Sequence, residues 1–172
     1  FYEWSHSMAI AQGGGVGDDV IYLPTLMYDA SNEYRLVVHI LDDTGTMIAQ
    51  KIIDGGSISN YWNPGLVATS GMDAYFVFNE YDSGADVDGL AVVKLNSSGT
   101  VLWKVRMDNW DGEIPGITVD SNGFPHIGGT WYDSDLGAYV WHFIKLNPNT
   151  GMVLWDKVIK STNGNNPYTY YY

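Results

Sequence analysis

No cysteine occurs anywhere in the 172 residues, which removes a disulfide framework, a thiolate metal site and a cysteine nucleophile together. Basic residues are scarce as well: eight Lys and Arg stand against twenty Asp and Glu, for a net charge of −12. Those eight are scattered, so no basic patch offsets the repulsion between this chain and nucleic acid or an anionic membrane. Neither nucleic-acid binding nor membrane insertion is expected, the latter also because no run of eighteen apolar residues occurs. The opening FYEWSHS has neither the basic start nor the apolar core of a signal peptide, so either a leader has been removed or the chain is a piece of a longer protein.

Catalytic signatures are missing too. There is no G-x-S-x-G elbow to expose a serine to a base and an oriented acid. The four histidines, at 6, 39, 126 and 142, form no close pair that would converge on a metal, and they read as structural. AQGGGVGDD (11–19) lacks the lysine and following helix that cradle phosphate, and reads as a long turn. YDSGADVDG (81–89) sets Asp82, Asp86 and Asp88 ahead of Gly89 but lacks the ligand spacing and the closing glutamate of an EF-hand. It reads as a solvated hairpin loop, with an irregular Ca²⁺ site as the alternative. Carboxylate pairs such as Asp18-Asp19 and Asp111-Glu113 would serve glycoside hydrolysis only across a cleft of about 5–10 Å. No enzyme activity, cofactor or metal is expected.

What the chain does hold is glycine, twenty residues, and aromatics, including thirteen Tyr and seven Trp. That mixture suits short strands joined by tight turns. A chain of this length buries roughly 70% of its unfolded surface as one domain, taken here as 1–172.

Three segments share one design: VVHILDDTGTMIAQKII (37–53), AVVKLNSSGTVLWKVRM (91–107) and HFIKLNPNTGMVLWDKVI (142–159). Each gives an apolar strand, an Asp or Asn, a glycine turn and a second apolar strand. Leu41, Leu95 and Leu146 correspond, as do Asp42, Asn96 and Asn147. Gly45, Gly99 and Gly151 follow where the turn needs positive φ. Trp103 and Trp155 also correspond, with Ala49 in the first copy. Upstream, each unit runs through a strand into Tyr-Asp, at Tyr28-Asp29, Tyr81-Asp82 and Tyr132-Asp133.

Before each of these lies a short apolar stretch, so each repeat contains four strands. First strands are placed at 8–12, 65–69 and 116–120, and second strands at 19–28, 73–81 and 124–132. Third strands are placed near 34–42, 88–96 and 138–147, and fourth strands near 46–53, 100–107 and 152–159. The repeats span about 8–54, 63–108 and 114–160, and 161–172 begins a further strand or forms a tail. Short alternating runs broken by Gly, Asn, Asp or Pro exclude helices. Four antiparallel strands per unit of this length is the pattern of a β-propeller blade.

The third unit, ITVDSNGFPHIGGTWYDSD followed by HFIKLNPNTGMVLWDKV, resembles the bacterial β-propeller repeat abbreviated SBBP. The match runs through Val119, Asp120, Gly123, Gly128 and Gly129, then Lys145, Leu146, Asn147, Gly151 and Trp155, with His126 replacing a usual aromatic. The second unit keeps Lys94, Leu95, Asn96, Gly99 and Trp103 but has TSGMDAY in its first turn, and the first keeps mainly Gly45. Similar hairpins occur in quinoprotein-like propellers. The resemblance implies a secreted or surface-exposed protein of bacterial or phage type that binds, adheres or builds structure.

The expected fold is thus all-β, a propeller of about three four-stranded blades. Closed propellers typically have four to eight blades, so a partial propeller or a half-ring completed by another copy or by further blades follows. The expected function is a non-enzymatic structural or binding module, extracellular, on a cell surface or in a virion, in contact with a protein or glycan. A lectin-like propeller is the alternative, and a fragment of a quinoprotein-type dehydrogenase the second. Tyr28, Tyr81 and Tyr132 are expected to pack between blades, with Asx-turns at the Asp residues that follow, and Trp103 and Trp155 to pack likewise. Candidate binding loops join the second and third strands and carry Asp29, Asn32, Asp82, Asp86, Asp88, Asp133 and Asp135.

Overall fold

The computed structural model describes residues 3–4, 7–28, 34–53, 57–58, 65–68, 71–82, 87–108, 110, 116–133 and 137–159. All helical or strand structure among them is β, in three antiparallel sheets. Sheet 1 holds β1 (Glu3–Trp4), β2 (Ala9–Ala11), β3 (Val20–Tyr28), β4 (Tyr34–Asp42) and β5 (Met47–Ile52). Strands β2 to β5 form a meander, and β1 extends the same edge of β3 beside Met27 and Leu26. Sheet 2 holds β6 (Ser57–Ile58), β7 (Gly65–Ala68), β8 (Ala74–Asp82), β9 (Val87–Leu95) and β10 (Val101–Asp108), with β7 to β10 as the meander. Sheet 3 is a meander of β11 (Gly116–Val119), β12 (Pro125–Asp133), β13 (Ala138–Leu146) and β14 (Val153–Ile159).

Period-two alternation lets β8 and β9 of sheet 2 each serve two cores. One face carries Ala74, Phe76, Phe78, Ala91, Val93 and Leu95, packed on Val20, Tyr22, Leu26, Leu36, Val38 and Ile40 of sheet 1. On the other face Val77, Leu90 and Val92 meet Ile127, Ile144 and Leu146 of sheet 3, with Trp110 fully buried among them. The order of stacking is therefore the order of the chain. Strand β7 lies beside both β2 and β11, so the first strands of the three meanders are consecutive neighbours. The stack is open, and the described residues form no closed ring. At one end of the first interface the carboxylate of buried Glu80 receives Lys104 at 2.5 Å, with Arg106 at 3.6 Å.

The hairpins joining third and fourth strands share one construction. In the first, the Gly45 N–H donates to the Asp42 carbonyl (3.0 Å) and the Asp42 N–H to the Thr46 carbonyl (2.9 Å). Asn96, Gly99 and Thr100 repeat both bonds, and Asn147, Gly151 and Met152 do so with one more residue in the loop. The Asx oxygen Oδ1 accepts from the backbone two residues on, at Thr44, Ser98 and Asn149. Gly45, Gly99 and Gly151 have φ of 82°, 79° and 72°, where a Cβ would crowd the following carbonyl. Each hairpin then has a bulge, which leaves Ile48, Leu102 or Leu154 without a direct partner and about half exposed. Past the bulge the pairing resumes at Ala49, Trp103 and Trp155, turning those side chains onto the face toward which the next sheet, where present, is stacked.

Three local details stand beside these shared features. Tyr132 is 38% exposed and rests edge-on against Tyr139, on the face of sheet 3 that lies at the end of the stack. Asp133 closes β12 opposite Ala138, and Asx-turns form at Asp42, Asn96, Asp120 and Asn147. Strand β8 includes Asp82 and β9 begins at Val87, so the intervening loop is shorter than expected. Asp29, Asn32, Asp86 and Asp135 lie outside the described residues, as do the side chains of Tyr28, Tyr81, Asp82 and Asp88.

Candidate functional site

The outer face of sheet 3 carries the most distinctive chemistry. Alternation and register place Gly128 of β12 between Gly116 of β11 and Phe143 of β13, and His126 between Thr118 and Lys145, with Lys145 opposite Trp155 of β14. Two glycines side by side leave the floor of this face without side chains. The result is a hollow of about 400 Å³ walled by His126, Trp141, Phe143 and Trp155. Trp141 and Phe143 are stacked at 6.2 Å and 19°, whereas His126 and Trp155 meet edge to face at 5.7 Å.

A polar corner borders the hollow. Asp120 Oδ1 accepts the N–H groups of Asn122 and Phe124, both at 3.0 Å, which closes the turn between β11 and β12. Its Oδ2 faces Lys145 Nζ at 3.0 Å and His126 Nε2 at 3.1 Å, and Lys145 Nζ also sits 4.3 Å from the centre of the Phe124 ring. The backbone bond from Phe124, then Lys145 and His126, hold the Asp120 carboxyl well below the usual aspartate range.

The sign of that shift gives a testable pH dependence. A depressed folded-state pKa contributes stability that is complete above the unfolded aspartate value, about 3.9, and disappears as pH falls toward the folded value. Asp120→Asn keeps an oxygen for the turn but discards the charge. Thermal melts at several pH values are expected to show wild type ahead of the variant at pH 6, with the gap closing below about pH 4. A gap that stays constant to pH 2 would deny Asp120 this role.

Thr118 supplies the hollow's hydroxyl, and His126 is engaged by Asp120 and Trp155. Among the described residues no three His, Asp, Glu or Cys side chains group to hold a metal ion, and no helix is long and apolar enough to cross a membrane. His39 bonds Thr25 at 3.0 Å, and buried His142 bonds Asp156 at 3.1 Å while stacking on Trp131 at 4.9 Å.

Of the candidate loop residues, only Asp133 has a described side chain, and it does not adjoin this hollow. Trp103 packs between sheets 2 and 3, its Nε1 donating to the Pro148 carbonyl at 3.0 Å, whereas Trp155 is 36% exposed on the outer face. The hollow leaves no local mark in the sequence, because Gly116 and Gly128 are twelve residues apart and only strand register makes them neighbours. Compared with known proteins, the chain matches no family model, and no curated protein matches it.

Proposed function

We propose that this chain is a non-enzymatic structural or binding module built as part of a β-propeller, with an extracellular, cell-surface or virion setting. The observation that supports this reading is the stacking of three like meanders in chain order, their first strands consecutive neighbours. Blades of a propeller are arranged in that way around a central axis. The likeness of the third repeat to SBBP-type blades points in the same direction. In this reading the sheets provide a stiff frame, and the loops between second and third strands provide contact with a protein or glycan.

A lectin-like reading is favoured by one feature, the aromatic-walled hollow, since stacked rings also hold sugars. Trp141 and Trp155 line it, so their fluorescence would report a bound ligand. Titration with a panel of neutral and acidic oligosaccharides is expected to leave the emission unchanged. A saturable shift that disappears in Trp155→Ala would replace the scaffold reading with the lectin one.

A further inference from the structure

We propose that a second copy of this chain docks head to tail, the outer face of its sheet 1 covering the outer face of sheet 3. This rests on the reading of the chain as part of a propeller. The two internal interfaces repeat the same contacts, and the two ends of the stack hold their unused halves.

The first shared contact is a tyrosine reaching the next sheet. The Tyr22 hydroxyl donates to the carbonyl of Met72, and the Tyr75 hydroxyl to that of Gly123 at 3.4 Å. Both acceptors have positive φ, just before the second strand of the next sheet. The second contact is a hairpin glycine seated on the previous sheet's fourth strand. A Cβ built on Gly99 falls 3.5 Å from Ala49 Cβ and 3.8 Å from Lys51 Cβ, and one on Gly151 falls 2.7 Å from Val105 and 2.8 Å from Trp103. The second interface adds a carbonyl clamp, in which Lys94 Nζ and Trp103 Nε1 both donate to Pro148, at 3.2 and 3.0 Å.

By repeat position, Tyr22 and Tyr75 correspond to His126, Ala49 and Trp103 to Trp155, Lys51 and Val105 to Lys157, and Lys94 to Lys145. These four side chains sit on the uncovered face of sheet 3. Lys94 holds its own sheet's Asp73 at 2.9 Å while donating across, and Lys145 holds Asp120 in the same manner with further protons to give. At the other end of the stack, the Gly45 turn has nothing within 4 Å of a built Cβ. Asp43 occupies the place of Pro148 beside it, next to Asp42. Around this turn the outer face of sheet 1 presents half-buried Ile21, Leu23 and Leu41 and exposed Ile48 and Ile52, whereas Thr25 and Val37, farther from the turn on the same face, are already buried in the single chain.

A second copy therefore supplies what the face of sheet 3 lacks. Its Gly45 turn would seat on Trp155 and Lys157, and its Asp43 carbonyl would meet Lys145 and Trp155. Its aliphatic face would lie over the hollow above Gly116 and Gly128. The acidic Asp42–Asp43 corner faces two lysines, a charge match within a chain that otherwise repels itself at −12. Head-to-tail contacts close into rings or run on as filaments. Two chains give six sheets, the multiple of three that falls within the usual four to eight of a closed propeller.

The absence of native cysteine allows a clean test. Lys157→Cys and Gly45→Cys are made in separate molecules, mixed in 150 mM salt and oxidised mildly. The disulfide-linked pair is expected from the mixture at least tenfold faster than from either variant alone. Light scattering on the unaltered chain is expected to give twice its 19.1 kDa mass, with Trp155→Ala weakening association at least tenfold. A persistent 19.1 kDa monomer, or a dimer in which either variant links to itself as fast as the mixture, would overturn the docking. Lys51→Cys with Gly99→Cys in one molecule is the control for the stacking of sheets. If it closes while the mixture does not, only the docking fails, and if it does not close, the stacked-blade reading fails with it.

Discussion

Phe76→Ala is expected to destabilise the chain by about 4 kcal/mol, near the middle of the range for removing a buried phenylalanine ring. For a chain of this size that lowers the thermal midpoint by roughly 8–16 °C. Phe76 has no exposed surface, and its ring meets Tyr22 of sheet 1 edge-on at 6.1 Å. It sits in β8, which is paired with β7 on one side and β9 on the other, so the backbone has little freedom to collapse into the void. Phe143 gives the contrast: it is 38% exposed on the outer face of sheet 3, and Phe143→Ala in a dilute monomer is expected to cost about 1 kcal/mol. Denaturant melts of both variants check the pair. A loss below 1 kcal/mol at Phe76 would mean that sheets 1 and 2 do not share a face-to-face core. The same comparison at high concentration probes docking, because Phe143 would then be interior and its truncation would cost more as the protein is concentrated.

Much of the fold was legible because two short-range signals coincide in each repeat. Alternating apolar residues fix a half-buried strand, and Asp or Asn followed by Gly fixes the turn. Both are local, so β12, β13 and β14 stand within a residue or two of where the repeat places them. The bulges at Ile48, Leu102 and Leu154 left no such mark, since an extra apolar residue in an apolar strand looks the same whether it is paired or not. They matter because they decide that Trp103 and Trp155 face the following sheet's side. The Tyr-Asp recurrence is a true repeat that marks the end of each second strand, and Tyr132 and Asp133 close β12 opposite Tyr139 and Ala138. The candidate site was least legible. Its floor depends on Gly116 and Gly128 being register partners, and its polar corner on Asp120, His126 and Lys145 meeting across three segments.

Gly151→Ala is expected to cost about 3 kcal/mol, and Gly45→Ala about 1 kcal/mol, although the two glycines occupy the same turn position. Both have positive φ, 72° and 82°, so each substitution bears the cost of a left-handed backbone, about 1 kcal/mol. What separates them is the neighbouring sheet. A methyl group on Gly151 would meet Val105 at 2.7 Å and the Trp103 ring at 2.8 Å, and these side chains are held between sheets 2 and 3. Crowding of that kind adds about 2 kcal/mol. Gly99 is expected to fall between them, since its closest neighbour is the terminal methyl of Ile40 at 3.3 Å, a milder approach than those at Gly151. Urea midpoints with an unchanged slope, measured on dilute protein, give the ranking directly. Equal costs at all three glycines would show that the turns feel only their own backbone, and the contacts from which the head-to-tail pairing is inferred would lose their energetic basis. The expected order assigns the difference to the sheet beneath each turn, so Gly45, with nothing within 4 Å of a built Cβ, is the cheapest of the three to alter in the lone chain.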